Sequence, residues 1–304
     1  MLLHKRKDFF IQAIQATSNN LNIAPALVEK DYFLTLFLKQ AKEEIPGLVF
    51  KGGTSLSKCF NLIDRFSEDI DLTLDVSHFT QSYKRNSIRN LITLCSKLDF
   101  NLLNKDKIEK HTHGNYNCFE IRYPLIFFSD YIKPELKIEM TYIQKSFPTE
   151  QKTMNSYIGN YFQKNGNNNV VKEYLLEPFA INVQSLSRTL IDKIFALCDY
   201  YLSSNILRNS RHIYDISSLL TKVDVTSFTF IDLFKRVKEE RKRNKNCLSA
   251  QDNVDIYLLI KSIIETNIFK NDYEEVTMKL LTKPVSYYEA VESLKMLLNS
   301  KLFE

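Results

Sequence analysis

The 304-residue chain has no tryptophan, and no run in it approaches the roughly 20 apolar residues a membrane-spanning helix needs. Its five cysteines, Cys59, Cys95, Cys118, Cys198 and Cys247, are odd in number, widely spaced and never form a C-x-x-C pair. That pattern argues against a disulfide framework and against a zinc site, and it suits a reducing cytoplasm. The five histidines make no metal-ligand pattern either; His111-x-His113 is expected beside a hairpin turn. Met1 to Asp8 carry no signal-peptide stretch, so a cytoplasmic location without a membrane partner is expected. P-loop and kinase motifs are missing, and no internal repeat is visible.

What is there reads as an ordinary folded protein, with 44% hydrophobic and 25% charged residues. The length admits one large domain or two. A net charge of +5 and a pI near 8.7 are compatible with a nucleotide or nucleic-acid partner without requiring one.

The chain is organised around Val49-Phe50-Lys51-Gly52-Gly53-Thr54-Ser55-Leu56-Ser57-Lys58, followed by Arg65-Phe66-Ser67-Glu68-Asp69-Ile70-Asp71-Leu72. Leu48-Val49-Phe50 suits a buried strand. Two glycines interrupt it, and Thr54 or Ser55 is expected to cap a helix running through Leu56, Cys59, Phe60 and Ile63. A strand, a glycine turn and a helix N-terminus together favour an anion. In the second piece, alternation puts Asp69 and Asp71 on one strand face and Ile70, Leu72 and Leu74 on the other. Two neighbouring carboxylates suit a shared Mg²⁺ that also meets substrate phosphates. A solvated edge strand carrying two acids is the plainer alternative.

This combination resembles the nucleotidyltransferase superfamily related to polymerase β. The fuller strings K-G-G-T-S-L-S-K and R-F-S-E-D-I-D-L look like its AbiEii/AbiGii toxin branch, toxins of bacterial toxin–antitoxin and phage-defence systems. The likeness extends from about Glu29 to Leu219. It implies an α/β (α+β) fold: a nucleotidyltransferase core with a mixed sheet flanked by helices over 1–184, and a helical C-terminal domain over 185–304. It further implies transfer of a nucleoside monophosphate from an NTP to an acceptor, with two Mg²⁺ ions held by Asp69 and Asp71. Lys51, Gly52, Gly53, Thr54, Ser55, Arg65 and Ser67 would meet the nucleotide. The acceptor could be a tRNA end, and a cognate antitoxin is an implied partner.

Before the glycine turn, helices are expected from Asp8 to Asn20 and from Pro25 through Phe37. Glu29-Lys30-Asp31-Tyr32 in the second resembles a string of the same branch, and reads equally as a solvated helix face with Tyr32 partly buried. A helix is expected over roughly Tyr83–Leu98. A hairpin should follow, out along Lys107–Thr112, turning at Gly114-Asn115 and back along Asn117–Phe127. Pro134 to Thr141 alternate again, placing Leu136, Ile138 and Met140 in the core and Lys137 and Glu139 on the other face. In the superfamily a third acid on such a strand completes the metal site; Glu139 is the candidate and Glu135 its competitor.

The Asn-rich stretch Gln163–Lys172 reads as a loop by composition, and Glu177–Val183 as a last strand. Ser185 or Ser187 would cap a long helix whose buried stripe is Leu186, Leu190, Ile194 and Leu197, with Arg188, Asp192 and Lys193 on its other sides. Ser187–Leu197 resembles the helical lysine motif of the toxin branch, which would bring Lys193 to the phosphates. Arg211-His212-Ile213-Tyr214-Asp215-Ile216 resembles another of its motifs, with His212 where an acid is usual. Asp215 would support the site, pairing with Lys193 or Arg211. Further helices are expected at Leu233–Val237, Ile256–Ile264 and Val291–Leu298. The basic run Lys235, Arg236, Lys238, Arg241, Lys242, Arg243 and Lys245 reads either as an RNA track or as a solvated face. Two rival functions remain open from the residues: phosphoryl transfer to a protein or small molecule, and nucleotide or RNA binding without catalysis.

Overall fold

The computed structural model describes residues 1–65, 69–74, 80–110, 116–130, 132–142 and 146–303. The chain divides into two compact units. The first comprises Met1–Cys59, Glu68–Lys145 and Thr149–Val183; the second comprises Phe60–Ser67, Ser146–Pro148 and Gln184–Glu304.

The first unit holds helices α1 (Lys7–Leu21), α2 (Pro25–Glu44), α3 (Gly52–Lys58), α4 (Gln81–Lys97), α5 (Lys105–Lys110), α6 (Tyr157–Lys164) and α7 (Asn168–Glu173). Its strands are β1 (Leu48–Lys51), β2 (Asp69–Leu74), β3 (Asn101–Leu102), β4 (Tyr116–Arg122), β5 (Glu135–Thr141), β6 (Thr149–Met154) and β7 (Phe179–Gln184). They form one seven-stranded sheet in the order β3-β4-β5-β2-β1-β7-β6. The sheet is mixed: β1/β2, β3/β4 and β4/β5 are antiparallel, whereas β2/β5 and β1/β7 are parallel. This is the expected α+β class.

Burial follows the residue pattern closely in the central strands. Ile70, Leu72, Ile138 and Met140 are all fully buried, while Asp69, Asp71, Lys137 and Glu139 keep partial exposure on the opposite face. Helix α2 starts at Pro25, whose missing N–H costs nothing in a first turn. It is buried nearly all round, with Phe33 packed against Phe10, Phe100 and Tyr123 at ring distances of 5.7, 5.7 and 4.7 Å.

Several local expectations are corrected. The outgoing arm of the hairpin is not a strand: Lys105–Lys110 is α5, and the strand that pairs with β4 on that side is the short β3. Alternation there had a single buried apolar anchor, Ile108, too little to hold a strand in register. The expected Gly114-Asn115 turn and the His111-x-His113 pair lie outside the described residues. The Asn-rich stretch is mostly helical: α6 runs to Lys164, and α7 begins at Asn168. Only three residues turn between them, with Gly166 at φ +72°, because buried Phe162 and Val171 anchor both helices against the weak propensity of asparagine. Strand β6, with Met154 as its one buried residue, has too polar a sequence to announce itself and sits at the sheet's edge.

The second unit contains α8 (Leu186–Leu202), α9 (Arg211–Leu220), α10 (Phe228–Lys242), α11 (Ile256–Thr266), α12 (Lys270–Asp272), a π turn (Tyr273–Thr277), α13 (Met278–Leu280) and α14 (Tyr287–Leu298). Ser185, not Ser187, caps α8 by accepting the Arg188 N–H at 3.3 Å. Helix α9 packs between α8 and α14 and buries His212, Ile213, Tyr214, Asp215, Ile216 and Leu219. Residues 60–64, between the two halves of the organising motif, and Arg65 at the start of the second half belong to this unit. The Asp64 carbonyl accepts the Thr282 N–H at 2.8 Å, and Tyr214 Oη accepts the Asp64 N–H at 3.0 Å. No helix among the described residues is long and apolar enough to cross a membrane.

Candidate active site

In the first unit the strand register decides which side chains meet. Asp71 stands opposite Lys51 on β1 and beside Glu139 on β5; Asp69 stands beside Lys137. Register partners share a face, so Lys51, Asp71, Glu139 and, from β4, Cys118 make one row across the sheet. Asp69, Lys137 and Glu120 make the next. Glu135 lies further along β5 opposite Arg122 and is ion-paired with it at 2.6 Å. Of the two candidate third acids, Glu139 is therefore the neighbour of Asp71. Its carboxylate is ion-paired with the Lys137 ammonium, an engagement that alternation alone did not reveal.

The glycine turn joins β1 directly to α3. Gly52 has φ +75°, a conformation side chains disfavour, and lies under Asp71: an added Cβ would come within 2.7 Å of the Asp71 Cγ and 2.9 Å of its Cβ. The expected hydroxyl cap is absent. Lys51 is the N-cap residue, and its side chain makes no cap hydrogen bond. The two hydroxyls turn inward instead: Thr54 Oγ1 donates to the Asp69 carbonyl at 2.5 Å, and Ser55 Oγ donates to the Gly52 carbonyl at 2.8 Å. Thr54 thereby ties the glycine-turn helix to the aspartate strand. Helix α3 ends at Lys58 rather than continuing through Ile63.

Glu29-Lys30-Asp31-Tyr32 is not a solvated face; all four residues are buried. Asp31 is ion-paired with Lys58 at the end of α3 and accepts the Tyr157 N–H at 2.7 Å. Lys58 also donates to the Asn155 carbonyl at 2.9 Å. Lys30 donates to the Lys133 carbonyl at 3.1 Å. Glu29 accepts the N–H groups of Ile126 and Phe127 at 2.8 and 2.9 Å. Burial pushes its carboxyl up to about 7 even though those two bonds pull the other way. Asp31 thus anchors the glycine-turn helix through Lys58, while Glu29 and Lys30 hold the backbone at Ile126, Phe127 and Lys133. The signal that could have shown it is the apolar content of α2 on every side, which leaves no solvated face for charges to occupy.

The remaining expected residues belong to the second unit. Asp215 on α9 is fully buried. Arg65 reaches it with two donors, Nε to Oδ1 at 2.6 Å and Nη2 to Oδ2 at 2.8 Å, and Lys193 Nζ on α8 lies 2.8 Å from Oδ2. Burial alone would raise the Asp215 carboxyl, but Arg65 and Lys193 overcome it and hold the group far below the usual carboxylate range. Burial lowers the Lys193 ammonium, partly offset by Asp215. Asp215 thus pairs with Lys193, as expected, and its other partner is Arg65 rather than Arg211. The Arg65 side chain is 2% exposed where it pairs with Asp215. Ser67 lies outside the described residues.

His212 is buried, with its imidazole pushed well down by burial first and the Lys193 charge second. Arg188, expected on the open side of α8, is buried and bonded to Asp192 at 3.2 Å and Glu240 at 3.3 Å. Arg241, part of the basic run, turns inward over the Phe195 ring at 5.1 Å and pairs with Asp192. Lys235, Arg236, Arg243 and Lys245 remain exposed.

No three His, Cys, Asp or Glu side chains converge as a metal cluster among the described residues. The carboxylates of Asp69 and Asp71 on one strand face are nevertheless the donor set Mg²⁺ takes, because it binds through one or two carboxylates and completes its shell with water and phosphate.

A family model described as nucleotidyl transferase AbiEii toxin, type IV TA system, matches residues 36–292. No curated protein matches the chain.

Proposed function

The chain belongs to the AbiEii family of nucleotidyl transferase toxins, and we propose that it moves a nucleoside monophosphate from an NTP to an acceptor and releases pyrophosphate. The observation that carries this reading is the packing of Asp71 over Gly52, with Asp69 and Glu139 on the same sheet face. Asp69 and Asp71 would hold Mg²⁺, which when bound lowers the pKa of an acceptor hydroxyl and steadies developing phosphate charge. The Gly52-Gly53 turn would present backbone N–H groups to phosphate oxygens. Lys51, opposite Asp71 in the strand register, would balance phosphate charge. Glu139, once released from Lys137, would complete the shell of the metal and assist the deprotonation of the acceptor. Lys193, with Asp215 ordering its ammonium, would meet the nucleotide phosphates.

The acceptor proposed is an RNA end such as that of tRNA, in keeping with the exposed cations of α10, and the cellular role is that of a toxin paired with an antitoxin. Incubation with Mg²⁺, tRNA and NTPs labelled at the α or the γ phosphate tests the chemistry. Label from the α position on the RNA is expected. Label from γ would mean a phosphotransferase, and label from neither would leave a binding protein.

A further inference from the structure

Lys137 occupies the middle of the carboxylate face. Register sets it between Asp69 on β2 and Glu120 on β4, and its ammonium is bonded along its own strand to Glu139. Neighbouring strands lie about 4.8 Å apart, so Asp69, Asp71 and Glu139 crowd their negative charge into a small area. That repulsion needs a cation close by whether or not a metal is bound.

We propose that Lys137 is a built-in counter-ion that competes with the divalent cation: it neutralises Glu139 in the metal-free protein and has to release it before Glu139 can ligate. The inference rests on the reading of Asp69 and Asp71 as metal ligands. Its geometry is specific. Lys137 is 44% exposed at its side chain and Glu139 only 24%, so the lysine is free to swing into water while the carboxylate stays at the row with Asp71. An ammonium on a four-carbon stem makes such a move readily, where a planar guanidinium fork would hold on. The competition sets a threshold: the site charges with metal only when the cation offers more than the lysine it displaces. Lys137 is in this sense a positioning residue, acting on the metal through Glu139.

Binding of Mn²⁺ alone, followed by the loss of the free-ion paramagnetic resonance signal, tests this without any turnover. Lys137→Met keeps the apolar stem and removes the charge. It is expected to tighten Mn²⁺ binding by roughly twofold to fivefold, the scale of a half-exposed ion pair. Adding Glu139→Gln to Lys137→Met should return the affinity to that of Glu139→Gln alone. Asp71→Asn should weaken binding in every background. Unchanged or weaker binding in Lys137→Met, with Asp71→Asn still deleterious, overturns the counter-ion role and leaves the metal reading standing. Tightening that survives Glu139→Gln overturns it too, because the lysine would then act as a general repulsive charge. Wild-type affinity in Asp69→Asn and Asp71→Asn, or no Mn²⁺ binding by wild type and Lys137→Met alike, removes the metal reading and this inference with it.

Discussion

Gly52, the residue after β1, lies so close to Asp71 on β2 that a Cβ on the glycine would come within 2.9 Å of the aspartate Cβ and still nearer to its carboxyl group. The overlap involves the root of the Asp71 side chain as well as its tip, so rotating the carboxylate does not relieve it. The glycine also has φ +75°, where an L side chain costs about 1–2 kcal/mol. Gly52→Ala is therefore expected to lower the unfolding temperature by a few degrees and to reduce nucleotidyl transfer at least tenfold, because Asp71 must move. Thermal unfolding beside turnover with α-labelled NTP checks both. Retained activity in a folded Gly52→Ala protein would show that Asp71 does not work from its observed position. Gly53 does not share this conformation, so the strain belongs to the first glycine of the pair.

Asp69 and Asp71 share a strand face and are expected to act as one metal site. Each single change, Asp69→Asn or Asp71→Asn, should abolish transfer while the protein still unfolds cooperatively near the wild-type temperature. Residues that act as a unit are not additive, so the double variant should be little worse than either single one. Near wild-type turnover in either single variant would falsify the assignment.

The legible parts of this protein are those governed by short periods. The alternation of β2 and β5, the glycine turn, and the Ser185 cap on α8 all depend on residues within a few positions of one another. Partnerships across the chain were not legible. Arg65 and Asp215 are 150 residues apart, and nothing at either position names the other; a phosphate-binding arginine and a buried structural one look alike in a sequence. The neighbour relation between Asp71 and Glu139 depends on a parallel register that alternation leaves free to slip by two. Glu29, Lys30 and Asp31 look like a solvated face because charged residues are almost never buried unless paired, and their partners come from distant segments. The Asn-rich helix α7 escaped notice for the opposite reason: local composition pointed to a loop, and the burial of Val171 outweighed it.

Glu29 makes stability depend on pH in a stated direction. Its folded carboxyl lies near 7 against an ordinary value of 4.5, so the folded state holds the proton more tightly than the unfolded one. The contribution is fully present below about pH 4.5 and is lost as the pH rises through 7. Glu29→Gln removes this contribution. Each pH unit separating the folded from the unfolded value is worth about 1.4 kcal/mol, so the stability of wild type relative to Glu29→Gln should fall by about 3 kcal/mol from acid to mildly alkaline pH. Taking the difference cancels the opposing contribution of His4, whose imidazole burial pushes down to about 4. Urea unfolding of both proteins across that range measures it, and a difference that is flat with pH would mean that folding does not shift the Glu29 carboxyl.

The ion cluster around Asp215 separates stability from rate. Asp215 is fully buried between the Arg65 fork and the Lys193 ammonium. Asp215→Asn leaves two cations without their anion, and breaking a buried pair in this way costs about 3–5 kcal/mol. Lys193→Ala leaves the two-donor Arg65–Asp215 contact intact, so its cost should be smaller, about 1.5–3 kcal/mol for one charge-assisted bond. The order of the rate effects is different. If the Lys193 ammonium, 12% exposed at its side chain, also meets a phosphate whose charge grows in the transition state, its loss falls on turnover more than on binding. Lys193→Ala is then expected to lower kcat by about 10²-fold or more, the scale of a lost transition-state donor. Arginine should rescue poorly, since a planar fork does not replace a compact ammonium beside the Arg65 guanidinium. Lys222→Ala, at an exposed position after α9, is the control and should change neither quantity. Assays run well below the unfolding temperature of the weakest variant decide the matter: a Lys193→Ala protein that is less stable but turns over like Lys222→Ala would make the lysine a structural partner of Asp215 and nothing more.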